Sequence, residues 1–424
     1  MARNRVNRAG RQPKIGQPTP AAPVIVEPSL TSIPTLTHRH YHWYDPRSLG
    51  WLGYLLISVP MAITASLTHA SPVLQFLLAA VAIVPLAGLM GRSTEQLAER
   101  LGPGIGGLLN ATFGNAAELI LALFALNRGL DNVVKASLTG SIIGNLLLVL
   151  GASLLAGGLK YPLQRFNKTA AGIGSTLLAL ATVGMIIPAL FHHLAPSDVN
   201  QVHKVSLAVS GLLVVTYILS LVFSLITHRD TVNPVHEEPE AEGSAQDRWG
   251  LRHSISALIG STVFIAWMSE ILVGAVEATS ESLGLNAVFM GVIVVAIVGN
   301  AAEHSTAVLM AMKNQMDLAV GIALGSALQV ALFVAPVLVF ASYLRGTPMD
   351  LVFSTMEVVA VILAVLVARM VAEDGESTWL EGAMLLMVYG ILAVAFYYMP
   401  ESSATDKAEG KVPSVQAPAT QAIP

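Results

Sequence analysis

The sequence contains no cysteine and few charged side chains. None of its 424 residues is a cysteine, and only 12% are charged. The missing cysteines exclude disulfides and thiolate metal sites, although they do not identify the cellular compartment. An ordinary soluble domain has about twice this charged fraction, whereas here 54% of the residues are hydrophobic. This composition, with its long apolar runs, predicts a polytopic membrane protein embedded in a lipid bilayer.

An excess of positive charge and the common hydrolase motifs are also missing. The formal net charge of -4 argues against a nucleic-acid partner. The chain has no His-Glu-x-x-His, no paired catalytic Asp motif and no Gly-x-Ser-x-Gly, which are signatures of intramembrane or soluble hydrolases. A passive channel is disfavoured because channels more often build a pore from symmetric subunits. We therefore expect a transporter, not an enzyme, with no resident cofactor.

Eleven apolar stretches are long enough to cross a membrane. They predict an all-α polytopic membrane protein with eleven transmembrane helices. The predicted spans are 49–69, 72–91, 104–127, 132–157, 169–193, 204–227, 254–279, 285–312, 317–343, 350–371 and 378–398.

Polar segments flank and divide these spans. Residues 1–47 read as a disordered basic tail, and 399–424 as a second disordered tail. The segment 228–253 contains six acidic residues and separates six spans from five. We interpret it as a solvated acidic linker, with a regulatory cation-binding loop as the alternative.

The distribution of basic residues predicts the orientation in the membrane. Of the 23 Lys and Arg residues, 17 fall on the side of the N-terminal tail and 6 on the opposite side. The positive-inside rule then places the N-terminus and the acidic linker in the cytoplasm. We expect a bacterial inner (plasma) membrane, with an organelle membrane as the alternative.

One pentapeptide, Gly-Asn-Ala-Ala-Glu, occurs at 114–118 and again at 299–303. Gly140-Ser141 follows the first copy and Gly325-Ser326 follows the second, and each pair of matches is separated by 185 residues. Collinear matches of this kind indicate a duplication.

The duplication defines two repeats, 72–227 and 254–398, with helix 1 at 49–69 outside them. Each repeat contains five predicted spans, and because five is odd the two copies cross the membrane in opposite directions. Inverted repeats are typical of secondary transporters, whose substrate site lies near the midplane where the halves meet.

Each copy of the pentapeptide places a carboxylate, Glu118 or Glu303, within a span. A charge at this depth costs about 2.5–3.5 kcal/mol, so two of them are hard to explain as packing. Neighbouring oxygens complete an all-oxygen set that suits a hard cation such as Ca²⁺, with Mn²⁺ as an alternative. The other candidate ligands are Asn115, Asn300, Ser141, Ser326 and the carbonyls that unwinding at Gly114 and Gly299 would free.

The same carboxylates are candidates for proton transport. Burial and mutual repulsion disfavour charge on neighbouring carboxylates, so without metal they hold protons. One pair of side chains can then carry either a divalent cation or protons, which is what antiport requires. For the asparagines and serines, hydrogen bonding between helices is the competing interpretation.

Further polar residues are candidates for a proton or cation path. His304 follows the second glutamate where the first copy has Leu119, and it is expected either to relay protons or to bond a carbonyl. Asn145 and Gln329 lie on partner helices, and Glu270 lies inside span 7. Glu95 and Glu277 lie on acidic extensions of spans 2 and 7, for which a solvated helix end is the alternative interpretation. The path candidates are His304, Gln329, Asn145, Glu270, Glu95 and Glu277, together with the central Glu118 and Glu303.

The sequences Gly-Asn-Ala-Ala-Glu-Leu-Ile at 114–120, Gly-Asn-Ala-Ala-Glu-His at 299–304 and Ser-Ile-Ile-Gly-Asn at 141–145 resemble the signature motifs of the calcium/proton exchangers. That family belongs to the cation/calcium exchanger superfamily, and the resemblance covers about 49–398. It implies a Ca²⁺/H⁺ antiporter with Glu118 and Glu303 as central ligands. A Na⁺-coupled or Mn²⁺-preferring exchanger is the alternative, and formation of a homo-oligomer is left open.

Overall fold

The computed structural model describes residues 53–194, 199–228 and 249–400. The predicted N-terminal tail, the acidic residues of the linker and all but the first two residues of the C-terminal tail lie outside these ranges.

A helix lies at each of the predicted spans, and the all-α fold class is confirmed. One short antiparallel ladder accompanies the helices, pairing Gln164–Arg165 with Glu376–Ser377. The helices are α1 Ser58–Leu67, α2 Pro72–Phe113, α3 Ala116–Asn127, α4 Asp131–Lys160, α5 Lys168–Leu194, α6 Val199–Thr227, α7 Leu251–Leu283, α8 Ala287–Met312, α9 Met316–Arg345, α10 Thr355–Val371 and α11 Trp379–Tyr397.

Within the described ranges, eight helices are long and apolar enough to cross a membrane. They are α2 up to Gly102, α4 to α9, and α11. The remaining helices are shorter, as in the 17 residues of α10, so the count of eleven crossings stays a prediction.

The helix that carries the first pentapeptide is interrupted twice. The backbone of Gly102 adopts φ 81°, and the chain kinks there inside α2. Such a positive φ is readily adopted by glycine and rarely by other residues. A second break at Gly114 and Asn115 separates α2 from α3. The acidic extension of span 2 is helical. Gly114 itself keeps helical angles and donates to the Asn110 carbonyl, and the non-helical residue at the break is Asn115, with φ -101° and ψ 24°.

The second pentapeptide lies in an uninterrupted helix, so the expected unwinding at Gly299 is wrong. Gly299 is an interior residue of the α-helical part of α8, which runs from Ala296 to Met312. The side-chain Nδ2 of Asn300 also donates to the carbonyl of Ala296, at 2.9 Å. The irregularity is instead a π-helical segment, Met290–Val295, just before this stretch. Single-turn π segments of this kind are often found at functional sites.

Helices α4 and α8 cross at direct backbone contact. A Cβ atom added to Gly140 would stand 2.1 Å from the carbonyl oxygen of Val292, and one added to Gly291 would stand 2.5 Å from the Cβ of Ala136. Only residues without side chains permit this approach. Because Ser141 follows Gly140, the crossing also brings its hydroxyl to α8.

Glu357, at the start of α10, has a structural role. Its carboxylate accepts from the Ser354 N–H at 2.8 Å while its own N–H donates to the Ser354 hydroxyl at 3.3 Å. This reciprocal pair is a capping box. Thr139 on α4 donates a further bond to Glu357 at 3.3 Å. Burial of this carboxylate is therefore explained without a ligand.

Candidate functional site

Helices α3 and α8 bring the two pentapeptide carboxylates together. Glu118 lies in the first turn of α3, and its Cγ is seated against Gly299, where an added Cβ would be 3.0 Å away. Gly299 lies one helical turn before Glu303 in α8, so the two carboxylates share this region of the helix. Glu118 Oε1 and Glu303 Oε2 are buried and make no hydrogen bond within the described part of the chain. Each oxygen is therefore available to a proton or a cation.

A hydrogen-bonded series of six amide and hydroxyl side chains links the two pentapeptides, and we call it the polar ring. Its first half joins α4 and α8: Asn145 donates to Asn300 at 2.9 Å, and Asn300 donates to Ser141 at 2.9 Å. All three side chains are almost completely buried. The helix that carries one repeat's motif is thus bonded to the other repeat's helix, as expected for a site shared by two halves.

The second half of the polar ring joins α9 to the break before α3. Ser326 donates to Asn115 at 3.0 Å, and Asn115 donates to Gln329 at 2.6 Å. Asn145 also donates to Ser326, at 2.9 Å, which closes the connection between the two halves. Ser326 further contacts the carboxylate of Glu303.

The oxygens of the polar ring retain capacity for a cation. The Asn115 and Asn300 side-chain oxygens each accept one hydrogen bond, and a carbonyl oxygen has two lone pairs. Asn145 Oδ1 is buried and has no hydrogen-bond partner among the described residues. Those residues contain no cluster of three His, Cys, Asp or Glu side chains. A Ca²⁺ ion, which takes six to eight oxygens, would therefore need amide and hydroxyl ligands beside the two carboxylates.

The two halves of the polar ring are not identical. Asn145 and Gln329 both belong to it, yet the positions 185 residues away hold Val330 and Gly144. Each repeat therefore supplies one polar side chain that the other lacks. Sequence reasoning placed Asn145 and Gln329 near the site, and the structure brings both into it.

His304 follows Glu303 on α8, in the second repeat. Its Nε2 is buried and makes no hydrogen bond within the described ranges. This ring nitrogen is therefore not occupied by a backbone carbonyl, one of the two roles expected from the sequence.

Three of the predicted path residues lie outside the polar ring. Glu95 is exposed on α2, and Glu270 and Glu277 are exposed on α7. On α7, the guanidinium of Arg128 packs on Gly274, between Glu270 and Glu277 along the helix, with Nη1 3.3 Å from an added Cβ. The exposed acidic residues of α2 and α7 are therefore separate from the site that contains Glu118, Glu303 and the polar ring.

Sequence reasoning missed the irregular helix segments that follow the two serines. After Ser141, α4 becomes π-helical over Gly144–Val149, and after Ser326, α9 does so over Val330–Val334. The two segments occupy matching positions of the repeats. A π segment has no distinct residue pattern, so the sequence offered no signal for it.

Comparisons with known proteins agree with this arrangement. The sodium/calcium exchanger protein family matches residues 71–226 and 253–398, within a residue of the two predicted repeats. The Ca(2+)/H(+) antiporter of Aphanothece halophytica is 44% identical over 357 residues, which is 82% of this chain and 96% of that protein. The Ca(2+)/H(+) antiporter ChaA of Bacillus subtilis is 45% identical over 342 residues, covering 80% of this chain and 97% of its own length.

Solved structures show the same fold. Native YfkE superposes with a TM-score of 0.71 at 42% identity, covering 82% of this chain and 100% of its own. The H⁺/Ca²⁺ exchanger CAX has a TM-score of 0.63 at 13% identity, covering 83% of this chain and 93% of its own. The second similarity shows the fold alone.

Proposed function

Since this chain belongs to the sodium/calcium exchanger protein family and is an integral membrane protein, we propose that it is a secondary active antiporter that exchanges Ca²⁺ for protons. Its Aphanothece and Bacillus relatives are Ca(2+)/H(+) antiporters, and the family relation supports the same pair of substrates here. In this proposal Ca²⁺ leaves the cytosol while protons flow inward.

One observation carries the proposal: Glu118 packs on Gly299, one helical turn before Glu303, and each glutamate has a buried carboxylate oxygen that makes no hydrogen bond among the described residues. Two negative charges side by side are stable only when a cation or protons neutralise them. Glu118 and Glu303 therefore hold either one Ca²⁺ or protons, but not both at once. This exclusion couples the two fluxes.

The crossings of the helices support an alternating-access mechanism. Gly140 of α4 is pressed against Val292 of α8, whereas its repeat counterpart Gly325 of α9 has no atom within 4 Å of an added Cβ. The two matching positions therefore differ in how closely another helix approaches them. If the repeats are inverted, exchange of these two arrangements would open the site to the other side of the membrane.

The proposal includes an orientation in the membrane. The N-terminus and the acidic linker lie in the cytoplasm, and the membrane is the bacterial inner membrane. The bias of basic residues toward the N-terminal side supports this orientation.

Ca²⁺ uptake into inside-out vesicles, driven by an imposed pH gradient, tests the assignment. Replacing either carboxylate, in Glu118→Gln or Glu303→Gln, is expected to abolish uptake, because an amide cannot carry the proton or the charge. Uptake at the wild-type rate by either variant would contradict the site.

Glu357→Gln is the matched control. Glu357 is also a buried carboxylate, but its bonds are to Ser354 and Thr139, and glutamine can replace glutamate in a capping box. This variant should transport Ca²⁺ normally. Parallel assays with Mn²⁺, and with a Na⁺ gradient in place of the pH gradient, separate the proposed exchange from the two alternatives.

A further inference from the structure

Arg128, the residue that ends α3, reaches across to α7. It follows the last residue of the helix that carries Glu118, and its backbone N–H donates to the carbonyls of Phe124 and Ala125. Its guanidinium lies over Gly274 of α7, where both Nη atoms would be 3.3 Å from an added Cβ. The helix of the first pentapeptide is therefore joined to α7 at the end opposite its carboxylate.

Gly274 provides a seat between two acidic side chains. Glu270 lies four residues before it and Glu277 three residues after it, which places all three on one face of α7. A guanidinium over the glycine is attracted by a carboxylate on each side, and the missing side chain lets it approach the helix backbone. We call Arg128 on this seat the α7 latch.

Helix α2 is the repeat counterpart of α7, but it has a different residue at the place of the seat. Glu95 and Glu277 match at an offset of 182 residues, and at the same offset Arg92 takes the place of Gly274. The guanidinium of Arg92 lies over the Trp249 ring, 5.3 Å from its centroid. This position of α2 therefore carries bulk and positive charge where α7 has a bare backbone.

Lys313 is the repeat counterpart of Arg128, at the offset of 185 residues. It follows the last residue of α8, as Arg128 follows the last residue of α3. If Lys313 approached α2 as Arg128 approaches α7, it would meet Arg92, and two like charges repel each other. A latch of the same kind is therefore disfavoured on α2, and the duplication is asymmetric at this point.

The α7 latch accompanies the closer of the two matching helix crossings. Gly140, whose added Cβ would meet the Val292 carbonyl, is the tenth residue of α4, and this helix begins after the turn that holds Arg128. Gly325, whose added Cβ would meet nothing within 4 Å, is the tenth residue of α9, which begins after the turn that holds Lys313. In the proposed inverted architecture these two turns lie on opposite sides of the membrane. We call the side of Lys313 the linker side and the side of Arg128 the far side.

We propose that Arg128 is a positioning residue for transport, which favours the conformation whose site faces the linker side. This inference rests on the proposed function, because it concerns the balance between the two access states of an antiporter. The seat on Gly274 stabilises one state, and Arg92 denies an equal stabilisation to the other. The two states therefore differ in free energy although the pentapeptide is duplicated.

The test compares KM for Ca²⁺ on the two sides of the membrane, with the full-length protein in vesicles of both orientations and a pH gradient of matching direction. The apparent affinity from one side scales with the fraction of protein that faces it, so the ratio of the far-side KM to the linker-side KM reports the balance of states. In Arg128→Gln this ratio should fall roughly threefold. A general loss of affinity would change both KM values and leave their ratio unchanged. Arg128→Lys keeps the charge and should keep the ratio within about twofold of the wild-type value.

Two further variants separate the latch from other roles of the arginine. Gly274→Leu fills the seat while the arginine stays, so it should lower the ratio as Arg128→Gln does, and combining the two substitutions should lower it no further. Lys313→Gln is the matched control, and its ratio should stay within about twofold of wild type because this lysine has no seat on α2.

Three results would overturn the inference. They are an unchanged ratio in Arg128→Gln, additive effects of Arg128→Gln and Gly274→Leu, and an effect of Lys313→Gln as large as that of Arg128→Gln. Should Gly274→Leu fail to fold, the variants of the two exposed cations decide alone, since Arg128 and Lys313 both lie at the surface. Absence of pH-gradient-driven uptake by the wild-type protein would instead overturn the proposed function itself.

Discussion

Glu118 reaches the site across Gly299, and an added Cβ on that glycine would stand only 3.0 Å from the Cγ of Glu118. The carboxylate of one repeat is thus seated on the backbone of the other repeat's motif. The glycine of the second pentapeptide, which sequence reasoning assigned to unwound backbone, instead provides room for the first pentapeptide's glutamate.

Gly299→Ala should therefore displace Glu118 and weaken Ca²⁺ binding. We expect KM for Ca²⁺ to rise about tenfold or more, which corresponds to a loss of about 1.4 kcal/mol. Thermal stability should not fall, since alanine is favoured over glycine within a helix by up to about 1 kcal/mol. Gly172→Ala, whose added Cβ meets nothing within 4 Å, is the control. A Gly299→Ala protein with wild-type KM would show that the contact has no role.

The two serines of the polar ring should differ in importance. Ser326 donates to Asn115, accepts from Asn145 and contacts Glu303, whereas Ser141 accepts a bond from Asn300. Leaving a buried polar group without its partner costs about 1–3 kcal/mol. Ser326→Ala should therefore lower transport and thermal stability more than Ser141→Ala. Equal effects of the two substitutions on uptake and on the melting temperature would contradict this ranking.

The two counterpart glycines Gly140 and Gly325 test alternating access. Gly140→Val should lower the melting temperature sharply, because its side chain would meet the Val292 carbonyl. Gly325→Val meets open space in this conformation and should melt near the wild-type temperature. If the two crossings exchange roles during transport, Gly325→Val should nevertheless slow turnover roughly tenfold, a barrier increase of about 1.4 kcal/mol. Normal turnover by a stable Gly325→Val protein would argue against such an exchange.

His304→Leu makes the two motif copies identical at this position, since Leu119 follows Glu118. The Nε2 atom of His304, the residue after Glu303, is buried and has no hydrogen-bond partner among the described residues, which favours a proton relay. We expect turnover to fall at least about tenfold. Loss of a proton-transferring group typically costs about 10²–10⁴-fold in rate. Equilibrium binding of ⁴⁵Ca²⁺ should be nearly unchanged. Wild-type turnover in this variant would assign the histidine to packing.

Much of this architecture could be predicted from spacing alone. The offset of 185 residues shows that Glu118 corresponds to Glu303 and Ser141 to Ser326 in the two repeats. The structure places all four residues in the candidate site. This prediction is possible from sequence alone because matching positions of inverted repeats face each other where the two halves meet.

Other features depend on contacts that no residue pattern reveals. The sequence does not reveal that Gly299 stays inside a helix, with the Glu118 side chain packed against it. The guanidinium of Arg92 on α2 lies 5.3 Å from the centroid of the Trp249 ring. This contact depends on where the end of the linker reaches α2. A Cβ added to Gly140 would meet the Val292 carbonyl and one added to Gly325 would meet open space, although the two glycines occupy matching positions in the sequence.

The most direct test of the central claim is a simultaneous record of Ca²⁺ and proton fluxes in liposomes that contain the purified protein. With a pH gradient as the sole driving force, Ca²⁺ should move against the protons, and both fluxes should be lost in Glu118→Gln and Glu303→Gln but kept in Glu357→Gln. Ca²⁺ transport that continued after collapse of the pH gradient and required a Na⁺ gradient instead would contradict proton-coupled exchange.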